Sequence, residues 1–328
     1  MNNFVIKRPM SSLAILLLLL FCVVLLYVTQ PLLWVKKASS TSTVSAARLR
    51  AHVEKLCGPS LFPRHSSQPA NLDLAAEYIR SELTQARGRV SDQPFTVEGK
   101  SYRNVISLFG PDTKERIVVG AHYDAAGKMP GADDNASGIA GLIELAYLLG
   151  NSALPLKVEL VAYTLEEPPY FRTPNMGSAF HAQALKRENA IVRAMLALEM
   201  IGYFSDNKNS QDYPVGLLSF IYPNQGNFIA VVGKVGQASI VRNTKQAMSD
   251  ASSLPVYSLN GPGSIPGIDF SDHLNYWQVG YQAAMISDTA FYRNANYHKA
   301  TDTPEKLDYQ RMAQVVEGIY AAVKHLSQ

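Results

Sequence analysis

A short apolar run in the first half of the chain limits which folds the sequence can adopt. Residues 117–121 read Ile-Val-Val-Gly-Ala, with no polar side chain on either face. Such a run is typical of a strand covered on both faces, as in a parallel sheet. Strand-like and helix-like segments then alternate along the chain. We therefore predict an α/β fold with a mixed, mostly parallel central sheet flanked by helices on both faces.

Periodicity and flanking residues give the individual elements. Predicted strands are 90–97, 104–108, 116–121, 157–164, 194–199, 215–221 and 282–287. Predicted helices are 71–86, which Asn71 can cap, 136–149, 177–187, 228–235, 239–249 and 304–326. The first two strands have no helix between them, which makes the predicted sheet mixed rather than purely parallel.

Composition limits the class of protein. A chain of 328 residues that is 47% hydrophobic can bury one large core. The net charge of +3 is not gathered into any long basic run, so the sequence predicts no nucleic-acid partner. The chain has two cysteines, and Cys22 lies within an apolar run, which argues against a disulfide with Cys57.

The N-terminus carries an apolar segment. Residues 13–28 contain no charge, and the apolar character resumes through Val35. This length suits a membrane-spanning helix of roughly 20 residues, with a cleaved secretory signal as the alternative. We predict an anchor or signal at 1–37, a linker at 38–47 and a folded domain at 48–328. The membrane would then be a partner, with the domain extracytoplasmic (periplasmic or extracellular), or secreted if the segment is cleaved.

Acids and imidazoles follow several predicted strands, at the edge where open α/β sheets place their ligands. His122 and Asp124 end the strand 116–121 and lie two residues apart on an extended segment. Their side chains therefore share one side of the segment, and the Asp124 carboxylate can accept a hydrogen bond from the imidazole.

Two adjacent acids, Asp133 and Asp134, lie in a glycine-bounded loop that leads into a predicted helix. They would repel each other unless a cation or a helix N-terminus relieved the repulsion. Asp133 or Asn135 can cap the helix, which leaves Asp134 free to bridge metals. On this segment alone, capping and metal binding both stay open.

Three further carboxylates and one imidazole complete the set. Glu166 and Glu167 follow the strand 157–164, where one carboxylate can bind a metal while its neighbour accepts a proton from water. Glu199 closes the apolar strand 194–199, where an unpaired carboxylate would be costly. His298 lies in a loop after the last predicted strand.

Taken in order, five motifs resemble the di-zinc aminopeptidase family of secreted bacterial leucyl aminopeptidases, over about residues 71–326. They are Gly-Ala-His-Tyr-Asp at 120–124, Gly-Ala-Asp-Asp-Asn-Ala-Ser-Gly at 131–138, Leu-Glu-Glu at 165–167, Leu-Glu-Met-Ile-Gly-Tyr at 198–203 and Tyr-His-Lys-Ala-Thr-Asp-Thr at 297–303. The resemblance implies a zinc exopeptidase fold for the folded domain, with peptides as substrates.

The resemblance also implies a role for each site residue. One zinc would be held by His122, Asp134 and Glu199, and a second by Asp134, Glu167 and His298. Glu166 would be the general base, and Tyr297 would donate to the tetrahedral oxyanion. Asp124, through its hydrogen bond to His122, completes the predicted catalytic set. The family further implies a cis peptide after Asp134.

Two positions depart from the family pattern. Glu199 stands where several members have Asp, which puts the geometry of the first metal in doubt, and Lys299 replaces the common Thr after the last histidine. A second group can line a substrate cleft or simply pack in the interior. It consists of Phe270, Ser271, Asp272, His273, Tyr276 and Phe291.

Two other functions remain open at this stage. Glutaminyl cyclases share the fold and typically use a single zinc to polarise a substrate carbonyl. A membrane-tethered scaffold could keep the fold without catalysis. The sequence leaves open the preferred N-terminal residue, carboxypeptidase or dipeptidase action, the metal in vivo and the oligomeric state.

Overall fold

The computed structural model describes residues 12–35 and 43–328. Within them the α-helices are α1 (Ser12–Thr29), α2 (Ala46–Cys57), α3 (Pro69–Gln85), α4 (Gly138–Leu149), α5 (Gly177–Arg187), α6 (Ala238–Ala251), α7 (His273–Gln278) and α8 (Tyr309–Leu326). The strands are β1 (Arg89–Val97), β2 (Lys100–Phe109), β3 (Glu115–His122), β4 (Lys157–Tyr163), β5 (Ile191–Glu199), β6 (Ile229–Lys234), β7 (Val256–Gly261) and β8 (Ala283–Ser287). The predicted α/β class is confirmed.

The described strands form one sheet in the order β1-β2-β4-β3-β5-β8-β6-β7. The four central strands β4, β3, β5 and β8 are parallel to one another. The β1–β2, β2–β4 and β6–β8 pairs are antiparallel, and β6 and β7 are parallel. The sheet is therefore mixed and mostly parallel, and the carboxyl ends of its central strands meet at one edge.

Side-chain alternation along β3 divides the core between the two faces of the sheet. Ile117 and Val119 pack into the larger apolar cluster, which α3, α4 and α8 cover. Val118 points the other way, into a cluster shared with residues of α5 and α7. Both faces are covered by helices, which explains why β3 carries an unbroken apolar run.

Several predicted elements are wrong. The predicted helix 228–235 is the strand β6, because a short apolar run does not distinguish a buried strand from a helix. The predicted strand 215–221 is a 3₁₀ helix, Gly216–Phe220. The last helix begins at Tyr309 instead of 304, with the Asp308 carboxylate accepting from the Arg311 amide.

The predicted membrane-anchored localisation is wrong. Among the described residues, no helix is long and apolar enough to cross a membrane. The apolar segment is helical only through Thr29, and α1 has 18 residues. Residues 1–11 and 36–42, including the start of the predicted linker, lie outside the described residues, and the predicted domain division stays a prediction.

Close packing at Gly120 gives a test of the central sheet. A Cβ at this position would overlap the Tyr163 ring. That ring cannot easily move, because the Tyr163 and Tyr276 hydroxyls are hydrogen-bonded at 2.7 Å. Gly120→Ala should lower the free energy of unfolding by about 1–3 kcal/mol in urea titrations. Gly263→Ala, whose Cβ meets open space, should change it by less than about 0.5 kcal/mol. Equal values for the two variants would contradict this packing.

Candidate metal centre

The predicted ligand residues come together at the carboxyl edge of the central strands. His122 is the last residue of β3, and Glu199 is the last residue of β5. Glu167 lies in the loop that follows β4, and His298 lies in a loop after β8. Asp134 lies in the segment Ala132–Ser137 that leads into α4, and its own backbone is not helical (φ −103°, ψ 90°). Distant segments of the chain thus meet because parallel strands end at the same edge.

The ligand atoms form two overlapping groups among the described residues. In the first, His122 Nε2 lies 3.4 Å from Asp134 Oδ1 and 3.4 Å from Glu199 Oε2. In the second, His298 Nε2 lies 3.0 Å from Asp134 Oδ2 and 3.1 Å from Glu167 Oε2. Asp134 belongs to both groups, with one carboxylate oxygen directed to each imidazole.

The chemistry of these atoms fits a metal ion. His122 Nε2, His298 Nε2 and Glu167 Oε1 are buried, and none makes a well-formed hydrogen bond within the described part of the chain. Buried polar atoms are ordinarily paired, so unpaired atoms gathered among these ligand residues call for a ligand. Imidazole and carboxylate donors together suit zinc and its neighbours in the first transition series.

Charge repulsion at this edge shifts several protonation equilibria. Burial, together with the charge of the Asp134 carboxylate, raises the pKa of Glu167 to about 8. Burial likewise raises the pKa of Glu166 well above its usual range, with the Glu199 charge adding to the effect. Burial opposes the charged form of His298, but the adjacent carboxylates of Asp134 and Glu167 raise its pKa to about 10. The site therefore stabilises positive charge, which a divalent cation would supply more strongly.

The backbone around Asp134 is held by a residue that the sequence analysis did not select. The Asp302 carboxylate accepts hydrogen bonds from the Asp133 amide at 3.0 Å and the Asp134 amide at 3.2 Å. Asp302 lies in the 297–303 motif, directly before the predicted helix 304–326. The position of Asp302 four residues after His298 in the sequence was the signal that could have identified it. The Asp134–Asn135 peptide is cis, as the resemblance implied.

The structure assigns the two residues that flank Asp134. The Asn135 carboxamide caps α4, since its Oδ1 accepts from the Gly138 amide at 3.2 Å. The Asp133 carboxylate accepts from the Gly202 amide at 3.0 Å and from Asn294 Nδ2 at 2.8 Å. Asp133 is thus occupied away from the ligand groups, and Asn135 rather than Asp133 is the cap.

Asp124 supports the site in a different way from the one predicted. The His122 Nδ1 atom lies 3.1 Å from the Asp124 backbone carbonyl and 3.6 Å from the Asp124 carboxylate. The carboxylate accepts instead from the amides of Glu166, at 3.2 Å, and Glu167, at 3.1 Å. Asp124 therefore fixes the loop that carries both glutamates, while its carbonyl orients the imidazole.

The remaining predicted residues lie around the two groups. Glu166 is 6% exposed, and its Oε2 lies 3.8 Å from His122 Nε2. The Tyr297 ring stacks on the His298 imidazole at 3.9 Å between centroids. Ser271 Oγ donates to Glu199 Oε2 at 2.7 Å. This hydrogen bond restrains Glu199, the residue that stands where several family members have Asp.

An apolar cavity of about 90 Å³ opens beside Glu199. Phe270 and Phe291 line it, as predicted for a cleft. Tyr276 does not, because it is fully buried and its hydroxyl bonds His181 and Tyr163. His273 is also buried and bonds the Ile268 carbonyl. The predicted cleft group therefore divides into cavity-lining and packing residues.

The chain belongs to peptidase family M28, whose model matches residues 104–323. It is similar to Uncharacterized protein YfbL of Escherichia coli strain K12, with 44% identity over 314 residues that cover 93% of this chain and 96% of that protein. It is 27% identical over 252 residues to Leucine aminopeptidase 1 of Ajellomyces capsulatus strain G186AR, which covers 71% of this chain and 57% of that protein.

Solved structures show the same fold. A zinc aminopeptidase from Bacillus subtilis, BSAP, superimposes with a TM-score of 0.70 at 15% identity over 86% of this chain and 95% of that one. A Bacteroides thetaiotaomicron glutaminyl cyclase bound to N-acetylhistamine gives 0.64 at 15% identity over 88% and 99%. Membership of this family identifies the protein as a peptidase. The structural similarity by itself shows only that the fold is shared.

The hydrogen bonds from the Asp133 and Asp134 amides to the Asp302 carboxylate, here called the Asp302 clamp, give a test of the site. Asp302→Asn places an amide NH₂ where backbone N–H groups now find a carboxylate, so the Asp134 backbone should lose its restraint. Zinc affinity, measured by competition with a chromophoric chelator, should fall roughly 10–100-fold although no ligand atom is removed. Asp308→Asn alters a helix cap elsewhere and should leave the affinity unchanged. Unaltered affinity in Asp302→Asn would contradict the clamp.

Proposed function

We propose that this protein is a zinc-dependent aminopeptidase that hydrolyses N-terminal peptide bonds. The observation that carries the proposal is the position of Asp134, whose two carboxylate oxygens face the two imidazoles of two overlapping ligand groups. Such sharing suits a pair of metal ions bridged by one carboxylate. The similarity to leucine aminopeptidase 1 supports the substrate class.

The proposed zinc ligands are His122, Asp134 and Glu199 for one ion, and Asp134, Glu167 and His298 for the other. When bound, a zinc pair supplies Lewis-acid polarisation and lowers the pKa of water. All five side chains are already close enough to share ions with little rearrangement.

Glu166 is the proposed general base. Its carboxylate is buried beside His122 without belonging to either ligand group, so it stays available for a proton. Burial raises the pKa of Glu166, so its carboxylate accepts a proton more readily than the carboxylate of a surface glutamate does. In the proposed reaction Glu166 accepts a proton from the attacking water and delivers it to the leaving amine.

Tyr297 and Asp124 have supporting roles in this proposal. The Tyr297 ring is held by stacking on His298, which leaves its hydroxyl to donate to the developing oxyanion. Asp124 fixes the glutamate loop through two backbone hydrogen bonds. Proper placement of the base therefore depends on a side chain that does not touch the substrate.

The apolar cavity beside Glu199 is the proposed site for the side chain of the substrate's N-terminal residue. Its walls include Phe228, Ala230, Met285 and Phe270. These four side chains are apolar, so the part of the cavity that they line favours an apolar residue over a polar one. A volume of about 90 Å³ exceeds the roughly 10–15 Å³ that one water needs.

Glutaminyl cyclase activity is the second candidate, and the fold likeness to two solved cyclases is the observation that favours it. A cyclase typically uses one zinc and no attacking water. Incubation with peptides that begin with glutamine separates the two functions. Release of free amino acids supports the peptidase, whereas formation of pyroglutamyl peptide without hydrolysis would support the cyclase.

Glu166→Gln tests the assignment of the base. The substitution keeps the shape of the side chain but cannot accept the proton, so kcat on leucyl p-nitroanilide should fall about 10²–10⁴-fold. Zinc content, measured by mass spectrometry of the purified protein, should stay at two per chain. Glu54→Gln, an exposed change in α2, serves as the matched control. A normal rate in Glu166→Gln would refute the mechanism.

Ala230→Phe tests the cavity. The added ring should fill the space beside Glu199 and lower kcat/KM for leucyl substrates about ten-fold, a cost of about 1.4 kcal/mol. Alanyl substrates should change much less, because their side chain needs little of the cavity. Ala70→Phe, exposed on α3, should behave as wild type. An equal loss for both substrates would show that the cavity does not select the side chain.

A further inference from the structure

The segment of residues 27–35, which we name the N-terminal arm, docks on the outer strand of the sheet. Lys245 is 6% exposed, and its Nζ donates to the Thr29 carbonyl at 3.0 Å and the Gln30 carbonyl at 2.9 Å. Ser258 Oγ donates to the same Thr29 carbonyl at 2.8 Å. The last carbonyls of a helix lack partners within it, and here the folded domain supplies them.

Further contacts fix the direction of the arm. Asn260 Nδ2 donates to the Tyr27 carbonyl at 3.3 Å, and the Gly236 amide donates to the Tyr27 hydroxyl at 2.8 Å. Gln246 Nε2 donates to the Trp34 carbonyl at 2.8 Å. These hydrogen bonds come from side chains of α6 and β7, so the arm has a defined docking site formed by Lys245, Gln246, Ser258 and Asn260.

Ser258 connects the docking site of the arm to Tyr222. Its side chain contacts the arm, whereas its backbone carbonyl accepts a hydrogen bond from the Tyr222 hydroxyl. The neighbouring side chains Tyr257 and Leu259 line the apolar cavity beside Glu199. One residue therefore touches the arm through its hydroxyl and the cavity wall through its carbonyl.

Two aromatic rings separate the arm from the substrate cavity. Tyr222 and Tyr257 line that cavity, and they also line a second cavity of about 670 Å³ whose opposite wall contains Thr29, Leu32 and Val35 of the arm. The Tyr222 ring stacks on Tyr213 at 5.7 Å and meets Tyr257 edge-on at 5.8 Å. A shift of Tyr222 would therefore change the shape of both cavities.

We propose that docking of the N-terminal arm positions Tyr222 and Tyr257 and thereby sets the preference for large apolar N-terminal residues. This inference rests on the proposed aminopeptidase function. Thr29, Ser258 and Tyr222 form the connection, and Lys245 holds the arm in place. These are positioning residues, since they act on the substrate through the cavity wall.

The experiment compares steady-state kinetics of the full chain on leucyl and alanyl p-nitroanilides. Ser258→Ala and Lys245→Met each remove donors to the arm, and each should raise KM for the leucyl substrate about five-fold. The alanyl KM and both kcat values should stay unchanged, because the reacting groups are untouched. Lys245→Arg keeps a cationic donor and should restore much of the leucyl KM.

Ser81→Ala provides the matched control. It removes an exposed hydroxyl on α3, which packs against β1 and β2 at the opposite end of the sheet from β7, and should leave both KM values at the wild-type level. An unchanged leucyl KM in both Ser258→Ala and Lys245→Met would overturn the inference, as would an equal rise for both substrates. A wild-type protein that cleaves neither substrate would instead refute the proposed function.

Hydrogen exchange supplies a readout that does not depend on activity. In folded Ser258→Ala, peptides that contain residues 213–222 should take up deuterium faster than in wild type, while those that contain 191–199 should not. Unchanged exchange at 213–222 would overturn the proposed coupling even if the protein has no peptidase activity. Circular dichroism confirms that each variant is folded before its exchange is compared.

Discussion

Four carboxylates buried beside two imidazoles impose the constraint on which the rest of this structure depends. Two unit charges 4 Å apart interact by about 4 kcal/mol at an effective dielectric constant of 20. Asp134, Glu166, Glu167 and Glu199 are each at most 6% exposed, so they cannot all be ionised without nearby positive charge. His122 and His298 balance part of this charge, and the raised pKa values of Glu166 and Glu167 show how strongly ionisation is opposed. Membership of peptidase family M28 and the geometry of the site are consistent with cations as the remaining balance.

The scaffold brings this costly arrangement together through ordinary packing. Apolar strands covered on both faces fix where β3, β4 and β5 end, and the ligands lie at or just beyond those ends. Two carboxylates outside the ligand groups then fix the backbone between the ligands. Asp302 accepts a hydrogen bond from the Asp134 amide, and Asp124 accepts one from the Glu167 amide. Because such contacts orient ligands without supplying them, their loss should weaken the site without emptying it.

Sequence reasoning selected the proposed ligands more readily than the residues that support them. The ordered motifs at the ends of the predicted strands indicated that His122 and its proposed partners lie together at one edge of the sheet. Asp302 was missed because its contact with Asp133 crosses 169 positions of the chain, and no local pattern reports such a distance. The strand β6 was mistaken for a helix because its apolar run is short. The N-terminal segment was predicted from hydropathy as a span, whereas α1 ends at Thr29, whose carbonyl accepts a hydrogen bond from Ser258 of β7, and the residues beyond it are bonded by Lys245 and Gln246 of α6.

The central claim is that one carboxylate, from Asp134, is shared by two zinc ions. Anomalous diffraction from crystals of the zinc-loaded protein, recorded at the zinc absorption edge, measures this directly. The account predicts two peaks about 3.5–4 Å apart on either side of Asp134, one near His122 and Glu199 and the other near Glu167 and His298. A single peak, or a peak away from Asp134, would contradict it.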